Sequence, residues 1–427
     1  MNRMQHITWL GLAIGTLAAF AAPVTGANAA RVYVSNEDGH SVSVLDVSAA
    51  SQPEVLATIQ VGKRPRGMKL SQDGSRLFVA VSGLAKCPPS VPDEECAKLE
   101  RDLKADGIAV VDTASHKVLR VLQAGSDPEQ FAVSPDGKRL FVANEDIAQL
   151  SVIDIDSGAA VKRISVGREP EGVGVSPDGR WVLVTNESDN SVTMIDTGTL
   201  EIVRSVRVGQ RPRDVAFTPD SRAAYVSGEF DASLYRISVP QGEPVQRVLQ
   251  LRKEARPMAV VLDAGRNRLY MSTGRGGTVA VVDTTSTKLL AEIPVGKRPW
   301  GIALSNDGRW LYTANGPSND VSVVDTSTLR EVRRIEVGRS PWGVIIGPAP
   351  PVKRGTRSGT PDVSLAEPAV PRRIGFRVPI ELGHFSRMVG VAEQRAAFAG
   401  QARILGKSGR FDEVVVAQRV RDLVDDT

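Results

Sequence analysis

Residues 166–207 read VGREPEGVGVSPDGRWVLVTNESDNSVTMIDTGTLEIVRSVR, and at residue 208 the opening phrase starts again as VGQRPRD. Four short runs lie in that stretch, GVGVS, WVLVTN, SVTMID and EIVRSV, each closed by a polar turn. Alternating apolar residues and β-branched clusters mark strands, and the Asp-Gly of SPDG supplies the positive φ of a tight hairpin. One period therefore predicts four antiparallel strands.

The phrase itself occurs seven times: VGKRPRG (61–67), AGSDPEQ (124–130), VGREPEG (166–172), VGQRPRD (208–214), KEARPMA (253–259), VGKRPWG (295–301) and VGRSPWG (337–343). Its prolines, Pro65, Pro128, Pro170, Pro212, Pro257, Pro299 and Pro341, are spaced by 63, 42, 42, 45, 42 and 42 residues. A period near 42 is a repeat architecture, and alternation leaves little room for the helices of a solenoid. Seven units of four strands predict an all-β fold, a seven-bladed β-propeller over residues 31–348. The first unit starts at RVYVSNE (31–37), a second strand, and the last ends at PWGVIIGP (341–348), a first strand. The C-terminal strand is thus expected to complete the N-terminal blade, leaving no open edge in the ring.

The two ends read differently. Residues 1–30 carry Arg3, an apolar stretch from Ile7 to Ala22 and the small-residue sequence Ala27-Asn28-Ala29, the layout of a secretory signal peptide. Export to the periplasm is the expectation, with no membrane span in the mature chain. Residues 349–427 are a Pro- and Arg-rich extension with no readable core. Basic residues outnumber acidic ones there by 13 to 9, which accounts for the net charge of +4 of the whole chain and leaves the repeats near neutral. The charge gives no argument for nucleic acid as a partner. Both cysteines, Cys87 and Cys96, fall in the insertion that lengthens the second repeat. In an oxidising compartment a disulfide across CPPSVPDEEC is the expectation; a redox couple or two metal ligands are the alternatives, and no histidine lies nearby to complete a metal site.

Most repeated residues read as architecture. Asp46, Asp112, Asp154, Asp196, Asp283 and Asp325 end the third strands, where a carboxylate can accept bonds from the next turn. The strand aromatics Phe78, Phe141, Tyr225, Tyr270 and Tyr312 read as blade packing. Function is expected where the copies differ. The residue after each proline belongs to a ring at the mouth of the central channel: Arg66, Glu129, Glu171, Arg213, Met258, Trp300 and Trp342. Two guanidiniums, two carboxylates, a thioether and two indoles could hold a planar anion or grip a partner's side chains. The competing reading is that the four charges pair with one another while the tryptophans cover the channel. A Ca²⁺ site on the acidic loops at Glu37-Asp38, Glu145-Asp146 or Glu187-Asp189 is a further alternative, and those loops lack the alternating oxygen ligands of a dedicated site.

The phrases VYVSNE, LFVANE, VLVTNE, VIDT and VGxxPxGVxVSPDG resemble the YVTN-type β-propeller repeat family over residues 31–348. The leader, the seven copies and the Cys-bearing insertion resemble the exported propellers associated with pyrroloquinoline-quinone-dependent alcohol catabolism. That resemblance implies a non-enzymatic binding protein, accessory to a periplasmic quinoprotein dehydrogenase or its cytochrome c. It brings no catalytic residues. The tryptophan-docking repeats and adjacent-cysteine ring of quinoproteins are absent, so the resemblance implies no built-in cofactor and pyrroloquinoline quinone association through a partner alone. A propeller holding d1 haem or a copper cluster needs several histidines; beyond the leader this chain has His40, His116 and His384. The alternative function is a lactonase-type hydrolase using Arg66, Glu129, Glu171 and Arg213, similar in repeat style to phosphogluconolactonases.

Overall fold

The computed structural model describes residues 30–48, 53–84, 95, 98, 102–241 and 244–348. The expected signal peptide, Cys87, Cys96 with their expected disulfide, and the extension from 349 lie outside the described residues.

The described chain forms seven four-stranded antiparallel sheets. Their innermost strands are Pro341–Pro348, Met68–Leu70, Pro128–Val133, Pro170–Val175, Pro212–Phe217, Val260–Asp263 and Pro299–Leu304, one per blade around the ring. The first blade is closed as the phase of the repeat predicts: Pro341–Pro348 pairs antiparallel with Ala30–Asn36, Tyr33 opposite Ile345 and Val32 opposite Ile346. Both chain ends of the repeat region are thereby held in one sheet, and the ring has no unpaired inner edge.

Burial follows the radial order of the strands. The second and third strands of each blade are buried along nearly their whole length, whereas outer strands such as Glu201–Arg207 and Lys117–Leu122 are largely exposed. The core lies between blades. Phe78 and Val110 of one blade pack with Phe131, Leu140 and Ile153 of the next, all at most 1 % exposed. Each such side chain contributes about 1.5–3 kcal/mol by leaving water, and every blade needs two neighbours to bury both faces.

Local chemistry fixes the turns. The third-strand aspartates act as the repeat predicts: Asp46 accepts from Ser48 N, Asp154 from Ser157 N and Asp325 from Ser327 N, each at 2.8 Å. Another set caps the first hairpin, where Asp73 accepts from Ser75 N and from the Ser71 and Ser75 hydroxyls and has its carboxyl held down to about 2 by those bonds.

The repeated phrase also has a steric basis. A Cβ on Gly125, Gly167, Gly296 or Gly338 would come within 2.2–2.5 Å or 2.6 Å of the side chain of Asn144, Asn186, Asn315 or Asn36 respectively. Each glycine belongs to a crossing between blades, and each asparagine ends the second strand of the blade being entered. That asparagine is fully buried and donates to the third strand, as Asn315 does to Ser322 Oγ at 2.9 Å and Asn186 to Thr193 Oγ1 at 2.9 Å. In three copies the glycine and the asparagine 19 residues later are therefore one fitted unit, and Gly338 forms the same unit with Asn36 across the closure of the ring.

A channel mouth closed by paired charges

The crossing places its side chains by an unusual backbone step. The residue before every phrase proline is left-handed: Arg64, Asp127, Glu169, Arg211, Arg256, Arg298 and Ser340 have φ between 42° and 55°. A non-glycine residue there costs about 1 kcal/mol, and its occurrence in all seven blades makes it architectural. Hydroxyls of the second strands then fix the next residue. Ser35 Oγ receives Gly343 N at 2.9 Å within its own blade and donates to the Arg66 carbonyl of the next blade at 2.7 Å. Thr185 does the same between Gly172 N and the Arg213 carbonyl, Ser227 between Asp214 N and Met258, and Ser272 between Ala259 N and Trp300. Four of the seven ring residues are thus held through hydroxyls of the preceding blade.

The ring is compact and shut. Arg66, Glu129, Glu171, Arg213, Met258 and Trp342 are each at most 9 % exposed. Glu171, Arg213, Met258, Trp300 and Trp342 line a cavity of about 20 Å³, room for about one water molecule. Trp300 and Trp342 stack with ring centroids 5.9 Å apart. Arg66 and Glu129 sit beside this cavity and pair with each other.

The four ring charges pair with nearest neighbours and with a second tier of carboxylates. Arg66 bonds Glu129 and also lies 3.2 Å from Asp127, 3.4 Å from Glu37 and 3.6 Å from Glu145. Arg213 bonds Glu171 and Glu187 and reaches Glu229 at 2.7 Å, while Arg211 Nε meets Glu187 at 2.7 Å. Burial works against both guanidinium charges, yet the surrounding carboxylates hold Arg66 and Arg213 above their ordinary value. Burial pushes the carboxyls of Glu145 and Glu171 up, against the pull of the arginines.

Of the two readings of the ring, the pairing one describes its charges: Arg66 meets Glu129 and Arg213 meets Glu171. The Ca²⁺ alternative is corrected. Asp127, Glu129 and Glu145 bring three carboxylate oxygens within 4.8 Å of one another, but the Arg66 guanidinium fills the place of a cation. Glu37 is paired with Arg64 at 3.0 Å, and Asp189 with Arg168 at 2.8 Å.

Residues that the ring argument missed stand at the rim. Arg298 lies over the Trp300 ring at 5.0 Å, opposite demands coming from Arg213 at 5.5 Å from the same ring. Phe230, 43 % exposed, has Arg211 and Arg256 over its ring at 5.1 and 4.6 Å. Among the described residues Arg256, Arg275 and Arg298 make no ion pair; burial and the neighbouring Arg275 charge together press Arg298 below its ordinary value. The signal was present in the phrase: Arg256 and Arg298 precede their prolines, two places before the ring residues Met258 and Trp300.

This architecture defines a class first: a seven-bladed propeller whose axial mouth is sealed by ion pairs and indoles. Residues 98–239 and 257–343, more than half of the chain, match the family described as cytochrome D1 heme domain, and the chain belongs to that family. Antigen Lp49 of Leptospira interrogans is 29% identical over 121 residues, 28% of this chain and 24% of that protein, so the chain matches about a quarter of its relative's length. Among solved structures, hydrazine synthase of Kuenenia stuttgartiensis superimposes with a TM-score of 0.59 at 23% identity, over 74% of this chain and 99% of that one. The periplasmic gluconolactonase of Pseudomonas aeruginosa gives 0.60 at 19% identity, over 75% and 99%. A 6-phosphogluconolactonase-like protein of Bacteroides fragilis gives 0.62 at 16%, over 76% and 100%. These likenesses establish the fold.

The family raises haem, and the residues at the mouth do not fit it. His40 is exposed in a turn, its Nδ1 accepting from Arg64 N at 3.2 Å, and His116 lies in a turn between the third and fourth strands of its blade. Neither lines the mouth or the channel. The mouth cavity is far below the roughly 300 Å³ at which cofactor sites begin, and both ring arginines are already held by carboxylates.

Proposed function

We propose that this protein is an exported, non-enzymatic binding propeller that docks an acidic protein partner on the rim of its mouth. The observation that carries the reading is the contrast between the ring and the rim. Ring charges are neutralised internally, whereas Arg256 and Arg298 make no ion pair among the described residues and stand over the aromatic faces of Phe230 and Trp300, with the charge of Arg275 close to Arg298. Guanidinium groups with flat apolar neighbours are the chemistry of interface hot spots. Export rests on the layout of residues 1–30, and the choice of a quinoprotein dehydrogenase or its cytochrome c as the partner rests on the resemblance of the repeats alone. Haem or pyrroloquinoline quinone would then belong to the partner.

The test is surface plasmon resonance of the mature protein against a purified periplasmic quinoprotein alcohol dehydrogenase and its cytochrome c. Binding is expected at low salt, weakening steeply with ionic strength, and R275E/R298E should weaken it at least tenfold. Absence of binding to either protein, or indifference to the charge reversal, would sink the proposal.

One observation favours a lactonase reading: the Glu171 carboxyl, pushed up by burial, stands against Arg213, a base beside an anion holder. A substrate would require the water-sized mouth to open. Loss of lactone turnover in Glu171→Gln with ligand binding intact would establish that reading over the first.

A further inference from the structure

Beneath the sealed mouth the channel widens into a cavity of about 580 Å³. Glycines let neighbouring inner strands approach closely around it: a Cβ on Gly172 would meet the Arg213 carbonyl at 2.3 Å, and one on Gly301 would meet Trp342 O at 2.9 Å. Valine, leucine and isoleucine are half of the lining residues, and polar atoms share the exposed wall with them. Two lining residues carry charge, Lys69 on Met68–Leu70 and Asp214 on Pro212–Phe217, three blades away across the lumen. Asp214 is fixed by backbone donors, Val215 N at 2.8 Å and Val260 N at 3.0 Å. Lys69 makes no hydrogen bond and no ion pair among the described residues, although it is half-buried in the channel wall.

We propose that this channel is a binding site for a small aldehyde or ketone, held as an imine on Lys69 Nζ. The cavity has the volume of a small-molecule site, and a lysine that lines it without an ion-pair partner and with its charge desolvated by burial is the setting in which an amine serves as a nucleophile. Burial lowers the Lys69 amine below its ordinary value and raises the Asp214 carboxyl, each shift being toward the uncharged form. The step balances without a further reactant. The amine lone pair attacks the carbonyl carbon to form a C–N bond, and the carbonyl oxygen gains a proton. The carbinolamine then loses that oxygen as water with the two former amine hydrogens, leaving C=N. Because the mouth holds no more than a water molecule, the route in is the other end, past Leu70, Val133, Val175, Leu304 and Ile346.

The experiment incubates the full mature protein with propanal, reduces with cyanoborohydride and maps the adducts by peptide mass spectrometry. Lys69 is expected to label at least tenfold faster than the exposed Lys117, with a rate that saturates in propanal. Lys69→Met should abolish saturable labelling and keep the thermal midpoint, since it removes a half-buried amine from the channel wall. The wild-type rate ratio stands even where that variant folds poorly. Labelling of Lys69 no faster than Lys117, or a rate linear in propanal, overturns the proposal. So does saturable binding that propionate shares without imine formation, which would make Lys69 a simple carboxylate holder.

Discussion

Trp342 stacks on Trp300 across the seam where the two ends of the propeller meet, ring planes 26° from parallel. Trp300 belongs to the last blade, and Trp342 lies on the C-terminal strand that completes the first. One aromatic contact thus reinforces a closure otherwise made by strand pairing. Trp342→Ala should lower stability by about 3–5 kcal/mol in urea unfolding and abolish any exciton couplet in near-ultraviolet circular dichroism. A loss under 1 kcal/mol would show that the strand alone closes the ring.

Arg213 serves three carboxylates, Glu171, Glu187 and Glu229. Arg213→Met leaves Glu171 buried without a partner and Glu187 and Glu229 with Arg211 alone, at a cost of about 3–5 kcal/mol near pH 8. The Glu171 carboxyl, already raised by burial, would lose the opposing pull of Arg213 and lie further above the unfolded value, so the deficit should shrink as pH falls toward 5 and Glu171 takes up a proton. Denaturation at both pH values measures this; an equal deficit would contradict it.

Glu171 gives a pH signature in the intact protein. Its folded carboxyl is raised by burial. The contribution is fully favourable below the unfolded carboxyl value of about 4.3 and declines as pH rises through the folded one. The hairpin aspartates run oppositely: Asp73, held down to about 2, loses its contribution as pH falls through that value. Glu171→Gln should therefore flatten the fall in thermal midpoint on the alkaline side of pH 4.3 and leave the acid limb unchanged. Parallel profiles would refute the assignment.

Gly296 meets Asn315 so closely that a Cβ would fall 2.4 Å from Nδ2. Gly296→Ala is expected to destabilise by about 1–3 kcal/mol, and adding Asn315→Ser should recover part of the loss. A double-mutant cycle with no coupling would disconnect the two residues.

Haem supplies a direct check on the family's implication. With no histidine on the mouth or channel, haemin titration should give no saturable Soret shift, and Met258→Ala should change nothing. A stoichiometric shift abolished in Met258→Ala would mean that the ring opens and its thioether ligates iron.

Blade number and closure were legible because they are local. Alternation in WVLVTN or RLFVAN is set by the two-residue period of a strand, and the phase of RVYVSNE against PWGVIIGP states which strand completes which sheet. The ring of Arg66, Glu129, Glu171, Arg213, Met258, Trp300 and Trp342 was legible as a set of equivalent positions for the same reason. Its chemistry was not. Glu129 lies 63 residues beyond Arg66, and nothing in either copy says that the two side chains meet. Arg298 was overlooked because the residue before a proline reads as backbone punctuation; a left-handed φ of 49° is what turns it to the rim.

By itself the sequence determined seven blades, their order and their closure, since hydrophobic period, turn chemistry and strand phase act between near neighbours. Tertiary structure alone decided that the ring charges neutralise one another, that Trp300 meets Trp342, and that Lys69 and Asp214 line one channel. Those outcomes depend on distances between side chains on different blades and on how much water each retains, quantities fixed only when the ring has closed.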